Sequence, residues 1–243
     1  MAEGTGDPRQ VLLSVVVTNT ALALLIVLCF WAGVFVARRL GYGPGYSLAA
    51  LGFAPPRGGA LRGAGLGVAT GIGALLVSLV VNPVTVFVFE QLGYPARSTI
   101  QQPFMRGLEG WVREDPATAI PAIVGVVVLF GPAVEELVFR GALFNGMHRL
   151  ARLLWRAAAR KPPGEGPRRA AFVLAAGVSS GLFALLHLEP VLLPALLIFA
   201  FALCWLFERT GSLLPPFLAH ATFNSFATTL IILSGLEMVR IPV

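Results

Sequence analysis

Long apolar runs separated by short polar segments set the pattern of this chain. Six stretches are apolar enough to be membrane-crossing helices: residues 11–37, 60–89, 117–148, 170–188, 191–208 and 212–235. Each approaches or exceeds the roughly 20 residues that a span requires. The runs are long and do not alternate apolar with polar positions as barrel strands do, and in lipid a helix satisfies its own backbone groups. The fold class predicted is therefore all-α, a polytopic transmembrane bundle of about six spans. The second and third runs exceed one span. Asn82-Pro83 is expected to break or kink the second, and Gly131-Pro132 to bend the third. A break of this kind is tolerated where the freed backbone faces protein or water, so a bend beside charged residues points to a hydrated cavity.

Composition strengthens this reading. Of the 243 residues 56% are hydrophobic and 12% charged, and the mean hydropathy is +0.80, far above a soluble domain. The net charge of +6 would suggest nucleic acid in a soluble protein, but the charges are sorted by loop. Between the first two runs lie Arg38, Arg39, Arg57 and Arg62 with no acid. Between the third and fourth lie Arg149, Arg152, Arg156, Arg160, Lys161, Arg168 and Arg169 against Glu165 alone. The connection between the second and third runs instead holds Glu90, Glu109, Glu114 and Asp115 against Arg97, Arg106 and Arg113. The positive-inside rule places loops 38–62 and 149–169 in the cytoplasm and both termini outside, in a multi-pass protein of the cell membrane. The basic loops are read as topology anchors that touch anionic lipid, with no nucleic acid as partner. Glu3, Asp7 and Arg9 make a poor signal-peptide start, so the first run is expected to stay as a span. Cys29 and Cys204, far apart and each within an apolar run, read as packed apolar residues.

Against this background, charge inside a helix stands out. Glu135, Glu136 and Arg140 sit in AIVGVVVLFGPAVEELVFRGALF, where a central carboxylate costs about 2.5–3.5 kcal/mol on insertion scales. Glu136 and Arg140, four apart, share a helix face and form an expected ion pair. An internally neutralised structural pair accounts for those two residues but not for Glu135. One residue back, Glu135 points about 100° away with no local cation, a candidate general acid or base. Two histidines join it. His187 has Phe183 one turn earlier on its face, and His220 has Asn224 one turn later. A helical histidine alone is more often a hydrogen-bonded structural residue, but two of them beside a stray carboxylate and an amide point to chemistry. His148, among arginines, reads as solvated. Counted at about 1.5 Å per residue, Glu135 falls near the basic loop and His187 near the far end of its run. The two meet only if the helices flanking that loop project beyond the membrane, as the amphipathic stretch RLARLLWRAAAR allows.

Three motifs, EELVFR at Glu135–Arg140, FALLH at Phe183–His187 and HATFN at His220–Asn224, occur in this order on apolar helices. In that respect the chain resembles the CAAX protease and bacteriocin-processing (Abi) family of intramembrane proteases. The resemblance covers roughly residues 117–235. It divides the chain into residues 1–116, two helices and an extracytoplasmic connection, and residues 117–243, a catalytic core. It implies an endopeptidase acting on a membrane-associated protein or peptide. Glu135 and His187 would activate water, His220 and Asn224 would stabilise the oxyanion, and Glu136, Arg140 and Phe183 would support them. A zinc-dependent version would use Glu135, His187 and His220 as ligands; the absence of HExxH, and the loss of the base that ligation would entail, favour metal-free glutamate chemistry. The alternatives from other classes are a non-catalytic immunity or binding protein and a proton-coupled transporter.

Overall fold

The computed structural model describes residues 7–41, 48–94, 101–159 and 164–239. Arg97, Arg160 and Lys161 of the charge pattern, and Glu3, lie outside them. The described residues form seven helices and no strand: α1 (Pro8–Arg39), α2 (Ala60–Gln91), α3 (Gln101–Glu114), α4 (Pro116–Ala159), α5 (Glu165–Leu186), α6 (Leu193–Thr210) and α7 (Leu214–Gly235). All but α3 are long and apolar enough to cross a membrane. Helix starts follow local chemistry. Asp7 accepts from the Arg9 amide ahead of Pro8, and Asp115 accepts from the Thr118 amide ahead of Pro116, the arrangement that satisfies orphan amides and tolerates proline in the first turn.

Helix α3 was not expected from the sequence, where residues 90–116 read as a loop. Its apolar positions recur at helical spacing, and Leu108, Trp111 and Val112 bury against Leu12, Ile123 and Ile231. It caps the end of the bundle where Arg113 pairs with Glu237 at 3.2 Å. The opposite, basic end is laced by hydrogen bonds. The Arg57 amide donates to the Thr210 carbonyl at 2.9 Å and the Leu213 amide to Gly52 at 2.9 Å, while Asn145 Nδ2 donates to Ala50 at 2.7 Å. Arg57 of the first basic loop and Arg149, Arg152 and Arg156 of the second therefore share one end of the molecule.

Helices α2 and α7 run parallel in very close contact. A Cβ added at Gly67 would sit 2.6 Å from the Pro215 carbonyl oxygen, and one at Gly71 2.5 Å from that of Ala219. Small residues four apart allow this approach, in which lipid supplies no hydrophobic drive and packing must do the work. Helix α2 continues unbroken through Pro83, so the predicted break there is not found. Cys204 is buried as expected, whereas Cys29 is exposed on the outer face of α1.

Helix α4 is the organising element. At 44 residues it is roughly 66 Å long, about twice the hydrocarbon thickness, and its final segment, Asn145–Ala159, is the amphipathic stretch. A helix of that length can carry the basic loop well beyond one hydrocarbon thickness. Helix α5 runs antiparallel along α4, with Phe172 against Phe144 and His148, and with the Ser179 hydroxyl donating to the Phe139 carbonyl at 2.9 Å. Phe183 meets the Phe139 ring at 5.2 Å. Carried on by one turn, this register brings His187 level with Glu135.

Two π-helical stretches, Val124–Phe130 and Leu137–Phe144, flank the acidic pair. The first has a visible cause. The Gly131 amide donates five residues back to Val126, and in that spacing the next donor would be residue 132, a proline with no N–H. The stranded Val127 carbonyl is satisfied from another helix, by Asn224 Nδ2 at 2.9 Å. At Gly131-Pro132 the helix thus continues through a widened turn tied to α7.

Candidate active site

The centre of the bundle is a charged network closed off from lipid. Glu136 and Arg140 are almost fully buried, at 1% and 0% exposure, and Arg140 Nη1 donates to Glu136 Oε1 at 2.9 Å. The same oxygen lies 2.8 Å from His220 Nδ1. An ionised carboxylate only accepts, so Nδ1 carries the proton. Arg140 reaches further, donating through Nη2 to the Ala200 carbonyl at 3.2 Å and stacking its guanidinium 4.7 Å over the Phe183 ring. A buried ion pair requires such added bonds to offset its desolvation.

Phe183 is the hub on the other side. Its ring centroid lies 4.6 Å from that of His187 and 5.6 Å from that of His220, so one side chain separates and orients both histidines. His187 Nδ1 is 2.7 Å from the Phe183 carbonyl, an acceptor only, which fixes the proton on Nδ1 and leaves Nε2 with its lone pair. Phe199 closes the remaining face of His220, ring to ring at 5.7 Å and 88°.

Glu135 stands apart from this arrangement. Its side chain is 23% exposed, and its Oε2 lies 3.8 Å from His220 Nε2, beyond hydrogen-bond distance. That oxygen is buried without a hydrogen-bond partner. The described residues thus bring Glu135, Glu136, Arg140, Phe183 and His220 into one cluster, with His187 joined to it through Phe183. Asn224 is held one turn along α7 from His220, at the Val127 carbonyl. No direct contact pairs Glu135 with His187 among the described residues; the neighbour of Glu135 is His220. Sequence reading did not single out Phe199 or the Ala200 carbonyl, which no polar signal marks. It also passed over Glu189, buried at 3% exposure just after Leu188, whose backbone adopts φ 54 where α5 ends. His148, expected to be solvated, is buried, stacked on Phe144 at 5.7 Å and 3.3 Å from Glu208.

Access comes from the basic end. A cavity of about 520 Å³ reaches Glu136 between Gly52, Phe53 and Pro55 of the segment before α2 and Leu214 and Phe217 of α7. Among the described residues no three His, Cys, Asp or Glu side chains are grouped to hold an ion. His187 and His220 each engage Nδ1 with a protein acceptor, which leaves Nε2 of both without a hydrogen bond.

Residues 116–226 match the family described as type II CAAX prenyl endopeptidase, Rce1-like. Over this segment the chain is similar to the Rce1-like family. The match takes in α4, α5, α6 and all but the last turns of α7, and with them every member of the charged cluster; α1, α2 and α3 lie outside it. No curated protein and no solved structure matches the chain. The matched segment is thus similar to the core of CAAX-type endopeptidases, and it lies on helices that are long and apolar enough to span the bilayer.

Proposed function

We propose that this chain is an intramembrane endopeptidase whose general base is Glu135. The observation that carries the reading is the division of labour between the two adjacent acids. The Oε2 atoms of both are buried without a hydrogen-bond partner, but Glu136 commits Oε1 to Arg140 and to His220 at 2.9 and 2.8 Å, whereas Glu135, 23% exposed, is held by no cation among the described residues and stands 3.8 Å from His220 Nε2. A buried, unpaired acceptor beside an imidazole is expensive unless water or substrate completes it.

In the proposed reaction a water lies between Glu135 and the free Nε2 of His187. It attacks the scissile carbonyl carbon while its proton passes to Glu135. The oxyanion is held by His220, which when protonated on both nitrogens gives Nδ1–H to Glu136 and Nε2–H to the substrate oxygen. The second amide hydrogen of Asn224, whose first is engaged by Val127, joins it. Collapse breaks the C–N bond, and Glu135 returns its proton to the leaving amine. Every step uses side chains of this chain alone. The substrate is a membrane-associated protein or peptide; the apolar walls of the cavity suit an extended apolar segment entering from the basic end, which we place in the cytoplasm by its arginines.

Glu135→Gln and His187→Ala test the assignment. Membrane proteomes of cells with and without the protein identify the processed species, and cleavage of that species is then followed with purified protein in vesicles. Each substitution should lower the rate by roughly 100-fold or more at unchanged thermal stability. Processing that survives both substitutions would rule the protease assignment out.

A further inference from the structure

The basic end holds a second, polar cavity, of about 450 Å³, that is separate from the charged cluster. Three of its arginines, Arg149, Arg152 and Arg156, recur at three- and four-residue spacing, so they share one face of the projecting end of α4. The fourth, Arg57, arrives from the segment before α2, with Nη1 donating to the Glu208 carbonyl at 3.2 Å. Room for it is kept at Gly211, left-handed at φ +65, where a Cβ would stand 3.3 Å from the Arg57 guanidinium carbon. The floor is built from buried polar groups. Asn145 donates to the Ala50 carbonyl and accepts from Arg149 Nε at 2.8 Å, and buried His148 faces Glu208. Glu208 is the acid among the lining residues, so four guanidiniums converge on a cavity with one carboxylate.

Topology anchoring requires positive charge on one side of the membrane, but it does not require guanidiniums from two segments to converge on a hydrogen-bonded pocket. We propose that Arg57, Arg149, Arg152 and Arg156 form a binding site for a phosphate-bearing group. Guanidiniums match phosphate oxygens in bidentate pairs, and an excess of positive charge suits a ligand with more than one negative oxygen. The position favours a group at the membrane surface. On the opposite side of the same helical segment Leu150, Leu154 and Trp155 are exposed, as expected of an amphipathic helix lying in the interface. An anionic phospholipid headgroup and a soluble phosphate share this chemistry.

The test uses the full chain purified in neutral detergent, with thermal stability followed as a function of added phosphatidylglycerol, phosphatidylcholine or inorganic phosphate. A headgroup site predicts stabilisation by phosphatidylglycerol well beyond phosphatidylcholine and none by millimolar phosphate; a site for soluble phosphate predicts stabilisation by both phosphatidylglycerol and phosphate. In either case Arg152→Gln with Arg156→Gln should weaken the apparent affinity about tenfold or more. Arg168→Gln with Arg169→Gln, which removes the same charge from exposed positions at the same end, should leave it within about twofold. Should the first pair fail to fold, Arg156→Gln alone, at an exposed position, carries the same expectation at smaller size. The proposal is overturned if no probe stabilises the wild type, or if the two charge-matched pairs weaken binding equally.

Discussion

Replacing Arg140 with methionine keeps most of the side-chain volume but removes a guanidinium that makes three interactions: 2.9 Å to Glu136, 3.2 Å to the Ala200 carbonyl and 4.7 Å to the Phe183 ring. Glu136 would remain at 1% exposure with only His220 to balance it. Breaking a buried pair from one side costs about 3–5 kcal/mol, which for a chain of this size corresponds to a fall on the order of 10 °C in Tm. Adding Glu136→Gln removes the stranded charge and keeps an oxygen for His220 to donate to. The double variant should therefore recover at least about 2 kcal/mol relative to the sum of the two single changes, while remaining impaired in cleavage because the His220 imidazolium has lost its counter-charge. The assay is monodisperse recovery after heating in detergent, for wild type, both single variants and the pair. Simple additivity, or an Arg140→Met protein as stable as wild type, would refute the view that Arg140 serves to neutralise Glu136.

Two further outcomes follow from packing and backbone chemistry. Gly71→Leu, which drives a side chain into the Ala219 carbonyl next to His220, should separate α2 from α7 and lower activity at least tenfold, whereas Gly73→Leu, with nothing within 4 Å, should be tolerated; comparable activity in the two variants would contradict the close approach. Asn224→Ala should strand the Val127 carbonyl at a cost of about 1–3 kcal/mol. If Asn224 stands in for the N–H that Pro132 lacks, that cost should shrink in a Pro132→Ala background, as measured by a double-mutant cycle on thermal stability.

How much of this was legible in the sequence depended on the distance over which each signal acts. The six spans follow from apolar run length, and the Glu136–Arg140 pair from four-residue spacing; both are local and both are present. Helix α3 was missed because its apolar positions are few and its charges many, so run length registers a loop where helical periodicity does not. The bond from His220 to Glu136 joins residues 84 apart, and no spacing along the chain encodes it. Counted along the chain, Glu135 and His187 fall at different depths, because a helix that ends at the membrane surface places Glu135 close to the basic loop. The extra turns of α4 shift the register with α5, and Phe139, Ser179 and Phe183 record that shift. His148 looked solvated because its sequence neighbours are arginines; its neighbours in space are Phe144, Phe172 and Glu208.

The widened turns on either side of the acidic pair make the site depend on residue count as well as residue identity. Each residue added to or taken from a helix turns everything beyond it by about 100°, so a one-residue deletion within Val124–Phe130 would leave the composition of α4 almost unchanged yet turn Glu135 and Glu136 to new bearings relative to the preceding turns. Helix α4 thus acts as a vernier. Its irregular pitch decides which of two chemically identical neighbours is locked to Arg140 and which is left without a cation.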